Sequence, residues 1–169
     1  EGVTPLAPAA TSPSGEGTAA LVRDFVEKSK PILADKSPAN CLTLRGFAKS
    51  PDWPSLGEVF KLRAAAVAHY PMYRGLAKLV GMEALPVGPA IEDSLATLKE
   101  NWGRFDFFFV HYKYTDTAGE DGDFQRKVAK LEEVDAAING FVELKPDVLM
   151  IAGDHSTPAP HPSTLPRSS

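Results

Sequence analysis

The sequence predicts an α/β protein built on a doubly wound, mostly parallel sheet with flanking helices. Short apolar runs alternate with segments of helical periodicity from about residue 40 onward, the strongest apolar run at 105–110 leads into a strongly periodic helix, and no internal repeat is evident. Strands and helices in alternation imply right-handed crossovers, which build a parallel sheet.

The composition is that of an ordinary globular domain. The 169 residues are 43% hydrophobic and 24% charged, enough for one domain with a sizeable core. A net charge of −4 gives no electrostatic basis for binding nucleic acid. No apolar run approaches the ~20 residues that span a bilayer, so we expect no membrane partner. Composition does not indicate the oligomeric state.

The single cysteine, Cys41, excludes an intramolecular disulfide and fits a reducing compartment, so we expect a cytoplasmic protein. Cys41 falls in a predicted strand at residues 40–44. We therefore expect a buried core thiol rather than a reactive one.

The first 36 residues are predicted to form a flexible lead-in and one helix. Residues 1–17 are rich in Pro, Ala, Ser, Thr and Gly and lack hydrophobic periodicity. An apolar stripe predicts a helix over 18–30, which Pro31 is expected to end. The chain opens with Glu1 rather than Met and shows no signal peptide, so we expect it to be processed or cut from a longer chain.

Residues 37–158 are predicted to form the core, and residues 159–169 a tail. Ser55 and Glu58 have the spacing of a capping box for a short helix that ends at residue 60. Pro71 suits the first turn of a helix that reaches about residue 80. Further helices are predicted at about 91–102 and 123–139, with Gly140 just past the end of the second. The predicted strands are residues 40–44, 63–68, 82–87, 105–110 and 146–151.

Ionisable residues follow the strongest predicted strand. Asp116 and Glu120 are four residues apart, which places both on one face of a helix; in a loop, Gly119 would let both point inward. Carboxylates bind Mg²⁺, Mn²⁺ and Zn²⁺, so we expect Asp116 to be a metal ligand. The alternative is a solvated loop whose last carboxylates cap the next helix, and we expect that role for Asp123.

A second group follows the last predicted strand. Asp154 and His155 come directly after residues 146–151, and the carboxyl ends of parallel strands share one edge of a sheet. Both groups are therefore expected to form one metal site. The alternative is that Asp154 caps a turn through Ser156 or Thr157 and that His155 is a surface histidine. His161 adds a third imidazole nearby.

Cationic side chains near the same strand ends suggest an anionic substrate. His111 and Lys113 lie on one side of the strand end, and lysine serves as a point charge for phosphate. Arg45 and Arg74 are further candidates for a phosphate or carboxylate, with a surface ion pair an equal explanation for each. The side chains expected to serve packing instead are Tyr70, Met72 and Tyr73.

Two segments carry a resemblance to a known family: FFFVHYKYTDTAGEDGD at residues 107–123 and GDHSTP at residues 153–158. They resemble the archaeal-type branch of the cofactor-independent phosphoglycerate mutases, within the alkaline phosphatase superfamily. The resemblance covers about residues 18–158. Supporting segments are PANCLTLRGF at 38–47, LRAAA at 62–66, YPMYRG with LVGM between 70 and 82, and IED at 91–93.

The resemblance implies a doubly wound core that holds two divalent ions, usually Mn²⁺, Mg²⁺ or Zn²⁺. In this family a serine relays the phosphoryl group and interconverts 3- and 2-phosphoglycerate in glycolysis, an isomerase reaction. By motif, Asp116 matches a ligand of one ion, and Asp154 with His155 matches ligands of the other. Glu120 stands where family members often have histidine, and His161 is the counterpart of a later family histidine.

The resemblance also implies a departure. The family segment that carries a metal-binding aspartate and the serine nucleophile has no counterpart in residues 1–17, and residues 1–36 would be a remnant of an inserted substrate domain. The chain is therefore expected to be a fragment that is inactive alone. Two alternatives stay open: a metal-dependent phosphatase or phosphotransferase of the same superfamily, and a non-catalytic metal-binding remnant.

Overall fold

The computed structural model describes residues 6–44 and 46–159. The chain divides into two compact units, Glu1–Ser50 and Pro51–Ser169. None of the helices in the described ranges combines the length and the apolar character that crossing a membrane requires.

The first unit contains one long helix. A 3-10 turn at Pro13–Gly15 leads into α1, Glu16–Leu33, which confirms the predicted helix. Pro31 lies inside α1 instead of ending it. Proline at this point removes a single N–H near the helix end, and its fixed φ is already helical.

The strand predicted at residues 40–44 is wrong, and so is the buried thiol. The described residues of this segment have no regular structure, Cys41 is exposed, and the Leu44 side chain is 41% exposed. A strand forms only where a neighbouring strand offers hydrogen bonds, and the described sheet pairs none with this segment.

The described part of the second unit, residues 51–159, is built on a parallel sheet of three strands in the order β2-β1-β3. The strands are β1, Ala64–Ala68; β2, Glu83–Ala84; and β3, Phe107–His111. The β1–β3 register runs from Ala64 opposite Phe107 to Ala68 opposite His111. The predicted strands at 63–68, 82–87 and 105–110 are thus confirmed, the second reduced to two residues.

Helices cover both faces of this sheet, as the doubly wound prediction requires. Successive side chains of β1 alternate between the faces. Ala64 and Ala66 pack toward Ala77 of α3, Pro71–Leu79, on one face. The other face packs against α4, Ile91–Asn101, and α6, Phe124–Val142. Small side chains in β1 let the helices approach closely, and every β1 residue is buried.

The order of the strands creates a crevice at one edge of the sheet. The chain passes from β1 through α3 to β2 on one side, then through α4 to β3 on the other side of β1. The connections therefore diverge at the carboxyl ends of β1 and β3. Ligands of open α/β sheets bind at such switch points.

Local capping signals are confirmed in the same unit. The short helix α2, Leu56–Phe60, begins with a complete capping box. The Ser55 hydroxyl accepts a hydrogen bond from the Glu58 main-chain N–H at 3.1 Å, and the Ser55 N–H donates to Glu58 Oε2 at 2.8 Å. Pro71 is the first residue of α3, as predicted.

Two predictions at the end of α6 are wrong. Gly140 lies inside α6 rather than past its end. A Cβ there would overlap the Leu95 side chain of α4, so glycine at this position lets the two helices approach each other. Residues 146–151 form no strand, and Val148 and Met150 are 78% and 82% exposed. The described sheet pairs no strand with this apolar run, so hydrophobicity alone does not make it a strand.

Candidate metal and anion site

The candidate site lies at the carboxyl edge of the sheet. β3 ends at His111, and α5, Tyr114–Glu120, begins three residues later with Lys113 at its N-cap. Residues 152–159, here called the site loop, have no helix or strand and contact α5 through Thr157. The predicted meeting of the two ionisable groups is therefore what the structure shows.

Asp116 is the most enclosed carboxylate of the site. It lies in the first turn of α5, and its side chain is 14% exposed. The Lys113 ammonium donates to Oδ2, and the Thr157 hydroxyl donates to Oδ1. These two hydrogen bonds lower the pKa of Asp116 below its ordinary value, and the bond from Lys113 has the larger effect. Asp116 is thus held ionised.

Thr157 fastens the site loop to α5. Its carbonyl oxygen accepts a hydrogen bond from the Lys127 ammonium of α6. Gly119 is buried in α5, and a Cβ there would overlap that same carbonyl oxygen. Gly119 therefore lets the site loop pack closely on α5. The alternative expectation, that Gly119 lies in a loop and lets Asp116 and Glu120 point inward, is wrong because both residues lie in α5.

Asp154 and His155 lie beside Asp116. The His155 imidazole stands between the two carboxylates, with Nδ1 3.9 Å from Asp116 Oδ1 and Nε2 3.7 Å from Asp154 Oδ2. Asp154 Oδ2 accepts a hydrogen bond from the Tyr73 hydroxyl at 2.7 Å, which lowers the pKa of Asp154. Two carboxylates and an imidazole are thus brought together from segments about 40 residues apart.

His111 forms the floor of the site. Its ring stacks on Tyr73 with centroids 3.6 Å apart and planes at 22°. Its Nδ1 is buried and has no hydrogen-bond partner within the described structure. Burial lowers the pKa of His111, so the imidazole is neutral at pH 7.

Lys113 lies between two carboxylates. Its Nζ is bonded to Asp116 and lies 3.8 Å from Glu120 Oε1, whose side chain is 59% exposed. The hydrogen bond to Asp116 raises the pKa of Lys113. The next acidic residues turn away: Asp121 pairs with Arg126 at 2.7 Å, and Asp123 caps α6, as expected for that residue.

The remaining predicted site residues divide in two. Arg74 is half-buried, and its Nη1 donates to the carbonyls of Ala68 at 3.2 Å and Leu85 at 2.7 Å. These two bonds tie Arg74 to the main chain at the ends of β1 and β2. Arg45 and His161 lie outside the described residues.

A cavity of about 280 Å³ opens beside these groups at the switch point. His111, Lys113 and Thr117 line its side toward the site, and His69, which follows β1, lines it from the neighbouring strand. The cavity therefore brings two imidazoles and a cationic amine to the place where the topology favours a ligand.

The donors match a divalent cation in their chemistry. Within residues 6–44 and 46–159, no group of three or more His, Cys, Asp or Glu side chains is arranged so that it could hold a metal ion. The Lys113 ammonium nonetheless shows that the carboxylates of Asp116 and Glu120 accommodate a positive charge at this point. Asp116, Asp154 and His155 are side chains of the types that bind divalent cations.

Two residues of the site were not assigned to it from the sequence. The sequence predicts that Tyr73 serves packing, and it predicts for Thr157 only a turn contact with Asp154. A signal for Tyr73 exists: it lies two residues after Pro71, in the first turn of the helix that leaves β1, and such first turns lie at the carboxyl edge. Nothing in the sequence signals that Thr157 reaches Asp116.

Fold and side chains together define an α/β protein that brings two carboxylates and an imidazole together at the carboxyl edge of a parallel sheet. A family model described as the Metalloenzyme superfamily matches residues 35–164. The chain belongs to the Metalloenzyme superfamily.

Curated relatives have a more specific name. A protein of Thermosipho melanesiensis is 54% identical over 138 residues, which cover 82% of this chain and 34% of the relative. One from Thermus thermophilus is 51% identical over 161 residues, covering 94% of this chain and 40% of the relative. Both are named probable 2,3-bisphosphoglycerate-independent phosphoglycerate mutases. The chain thus spans well under half the length of these relatives.

A solved structure has the same fold. The PH0037 protein from Pyrococcus horikoshii superposes with a TM-score of 0.68 at 27% identity, covering 87% of this chain and 44% of that one. The parallel sheet with helices on both faces is therefore shared with a solved protein.

Proposed function

We propose that this chain is the cation-binding part of a cofactor-independent phosphoglycerate mutase, a cytoplasmic isomerase that interconverts 3- and 2-phosphoglycerate. The observation that carries the proposal is the link between Asp116 and the site loop through Thr157, which joins both ionisable groups at the switch point. The relatives, more than half identical over most of this chain, support it.

The proposed ligands divide between two divalent ions, Mn²⁺, Mg²⁺ or Zn²⁺. Asp116 would hold one ion, and Asp154 with His155 would hold the other. Glu120, whose Oε1 lies 3.8 Å from Lys113 Nζ, is proposed as a further ligand on the side of Asp116. Carboxylate-rich donor sets favour the harder ions, so we propose Mn²⁺ or Mg²⁺ for the side of Asp116. Such ions, when bound, activate a hydroxyl nucleophile and neutralise charge on phosphoryl oxygens.

The chain's own cationic groups would bind the phosphoglycerate. Lys113 brings a point charge to the cavity. Arg74, whose Nη1 donates to the carbonyl of Ala68 at the end of β1, is proposed as a second cationic contributor. The neutral His111 ring would hydrogen-bond rather than add charge, because burial lowers its pKa. Arg45 and His161 remain proposed contributors to substrate and metal binding respectively.

A chimera tests this proposal. The matching segment of the Thermus thermophilus relative is replaced by this chain, so the relative supplies the rest of its own length. Conversion of 3- to 2-phosphoglycerate is then measured with Mn²⁺. We expect turnover, and a loss of at least about 100-fold for Asp116→Ala or Asp154→Ala, since each change removes a ligand.

The matched control is Asp121→Ala, which removes a neighbouring carboxylate that pairs with Arg126 outside the site. It should retain the turnover of the chimera. A folded chimera with no turnover would contradict the proposal. Release of inorganic phosphate without isomerisation would replace it by the phosphatase alternative.

A further inference from the structure

Tyr73 connects the sheet to the site loop. Its hydroxyl donates to Asp154 Oδ2 at 2.7 Å across 81 positions of the sequence. The site loop has no helix or strand, and the Asp154 side chain is 58% exposed. Its Oδ1 accepts a local hydrogen bond from the His155 N–H at 3.0 Å, so only a contact with another element can fix Asp154 relative to the sheet.

Tyr73 is itself held by rigid neighbours. It lies in the first turn of α3, and its ring stacks on His111 with centroids 3.6 Å apart. Phe109, also of β3, lies 6.2 Å away on the same side. Stacked rings of this kind restrict the ring's motion, so the phenol oxygen is a fixed point at the carboxyl edge.

We propose that Tyr73 is a positioning residue that orients Asp154, and through it His155, for cation binding. This inference rests on the proposed function, since it assigns Asp154 to a metal. Hydrogen bonds to ligating carboxylates fix their orientation, and losing such a bond costs about 10- to 100-fold in metal affinity. Without the phenol, the Asp154 side chain must be ordered by the ion itself, at an entropic cost.

The test is calorimetric titration of the full 169-residue chain with Mn²⁺. Tyr73→Phe keeps the ring and its stacking but removes the hydroxyl. We expect its affinity for Mn²⁺ to fall about 10-fold, the lower end of the range for such supporting bonds. The visible absorption of bound Co²⁺, which reports ligand geometry, should change in the same variant.

The matched control is Tyr112→Phe. It also removes a phenol-to-carboxylate hydrogen bond, to Glu133 of α6 at 2.5 Å, away from Asp154. Its Mn²⁺ affinity should equal that of the unaltered chain. Unfolding temperatures without metal, measured for both variants, separate a loss of stability from a loss of positioning.

Each other outcome overturns the inference. Unchanged Mn²⁺ affinity in Tyr73→Phe, with or without a lower unfolding temperature, leaves Tyr73 a purely structural residue. Equal weakening in Tyr112→Phe has the same meaning. If the unaltered chain binds no Mn²⁺, or if Asp154→Asn binds it equally well, the proposed metal role of Asp154 fails as well. These results thus distinguish failure of the proposed function from failure of the Tyr73 inference alone.

Discussion

Replacing Gly119 by alanine should destabilise the protein, although alanine is the better helix former. A Cβ at this position would overlap the Thr157 carbonyl oxygen and lie 2.9 Å from Thr157 Cγ2 and 3.0 Å from Lys127 Nζ. The site loop must then move away from α5. That movement breaks the hydrogen bond from Thr157 to the ionised Asp116.

The magnitude follows from two opposing effects. Alanine in place of glycine inside a helix contributes about 1 kcal/mol of stability. A hydrogen bond to a charged group contributes about 1.5–3 kcal/mol, and Asp116 is only 14% exposed, so solvent screens the bond little. The net expectation is a loss of about 0.5–2 kcal/mol in the free energy of unfolding.

Urea unfolding measures this difference, with Gly75→Ala as the control. Gly75 lies in α3, and a Cβ there would meet nothing within 4 Å, so that variant should gain about 0.5–1 kcal/mol. In a Thr157→Val background, the cost of Gly119→Ala should shrink by the energy of the hydrogen bond already removed. Equal stabilisation by both glycine replacements would refute the close packing of loop and helix.

Three further predictions concern ionisation. The folded pKa of Asp116 lies below its ordinary value of 3.8. Lys113→Met should therefore lower the free energy of unfolding by its full amount above about pH 4, and this loss should disappear as the pH falls further. Urea unfolding across pH measures the difference, and a difference that stays constant with pH would contradict the prediction. Asp106 should titrate by NMR with a pKa of about 2, because Arg63 hydrogen-bonds its carboxylate, and Arg63→Gln should move the pKa toward 3.8; no movement would exclude the pair. His111 should titrate below 6.5, so that acidification through this range destabilises the fold, and a higher NMR value would show that its ring is not buried as described.

The sequence predicted those elements whose signals are local or whose partners follow soon in the chain. The Ser55 capping box and the Asp123 cap each depend on contacts within one helical turn, and both are confirmed. The strand predicted at residues 63–68 is confirmed as β1, and the structure shows that every residue of β1 is buried. Physical chemistry within a few residues was enough in these cases.

The wrong predictions concern features that depend on distant partners. Residues 40–44 and 146–151 have the composition of strands, but a strand exists only where another strand pairs with it. Gly140 resembled a helix stop because its role, contact with Leu95 of another helix, is not visible locally. The bond between Tyr73 and Asp154 was missed for the same reason.

The direct test of the account is where a cation binds. In an NMR titration with substoichiometric Mn²⁺, the amide resonances of Thr117, His155 and Thr157 should broaden first, because these residues surround the carboxylates of Asp116 and Asp154. Resonances of α2, which carries the acidic Glu58 and packs beside Gly81 just before β2, at the opposite edge of the sheet, should stay sharp. Broadening that begins in α2, or that is uniform along the chain, would contradict cation binding at the carboxyl edge of the sheet.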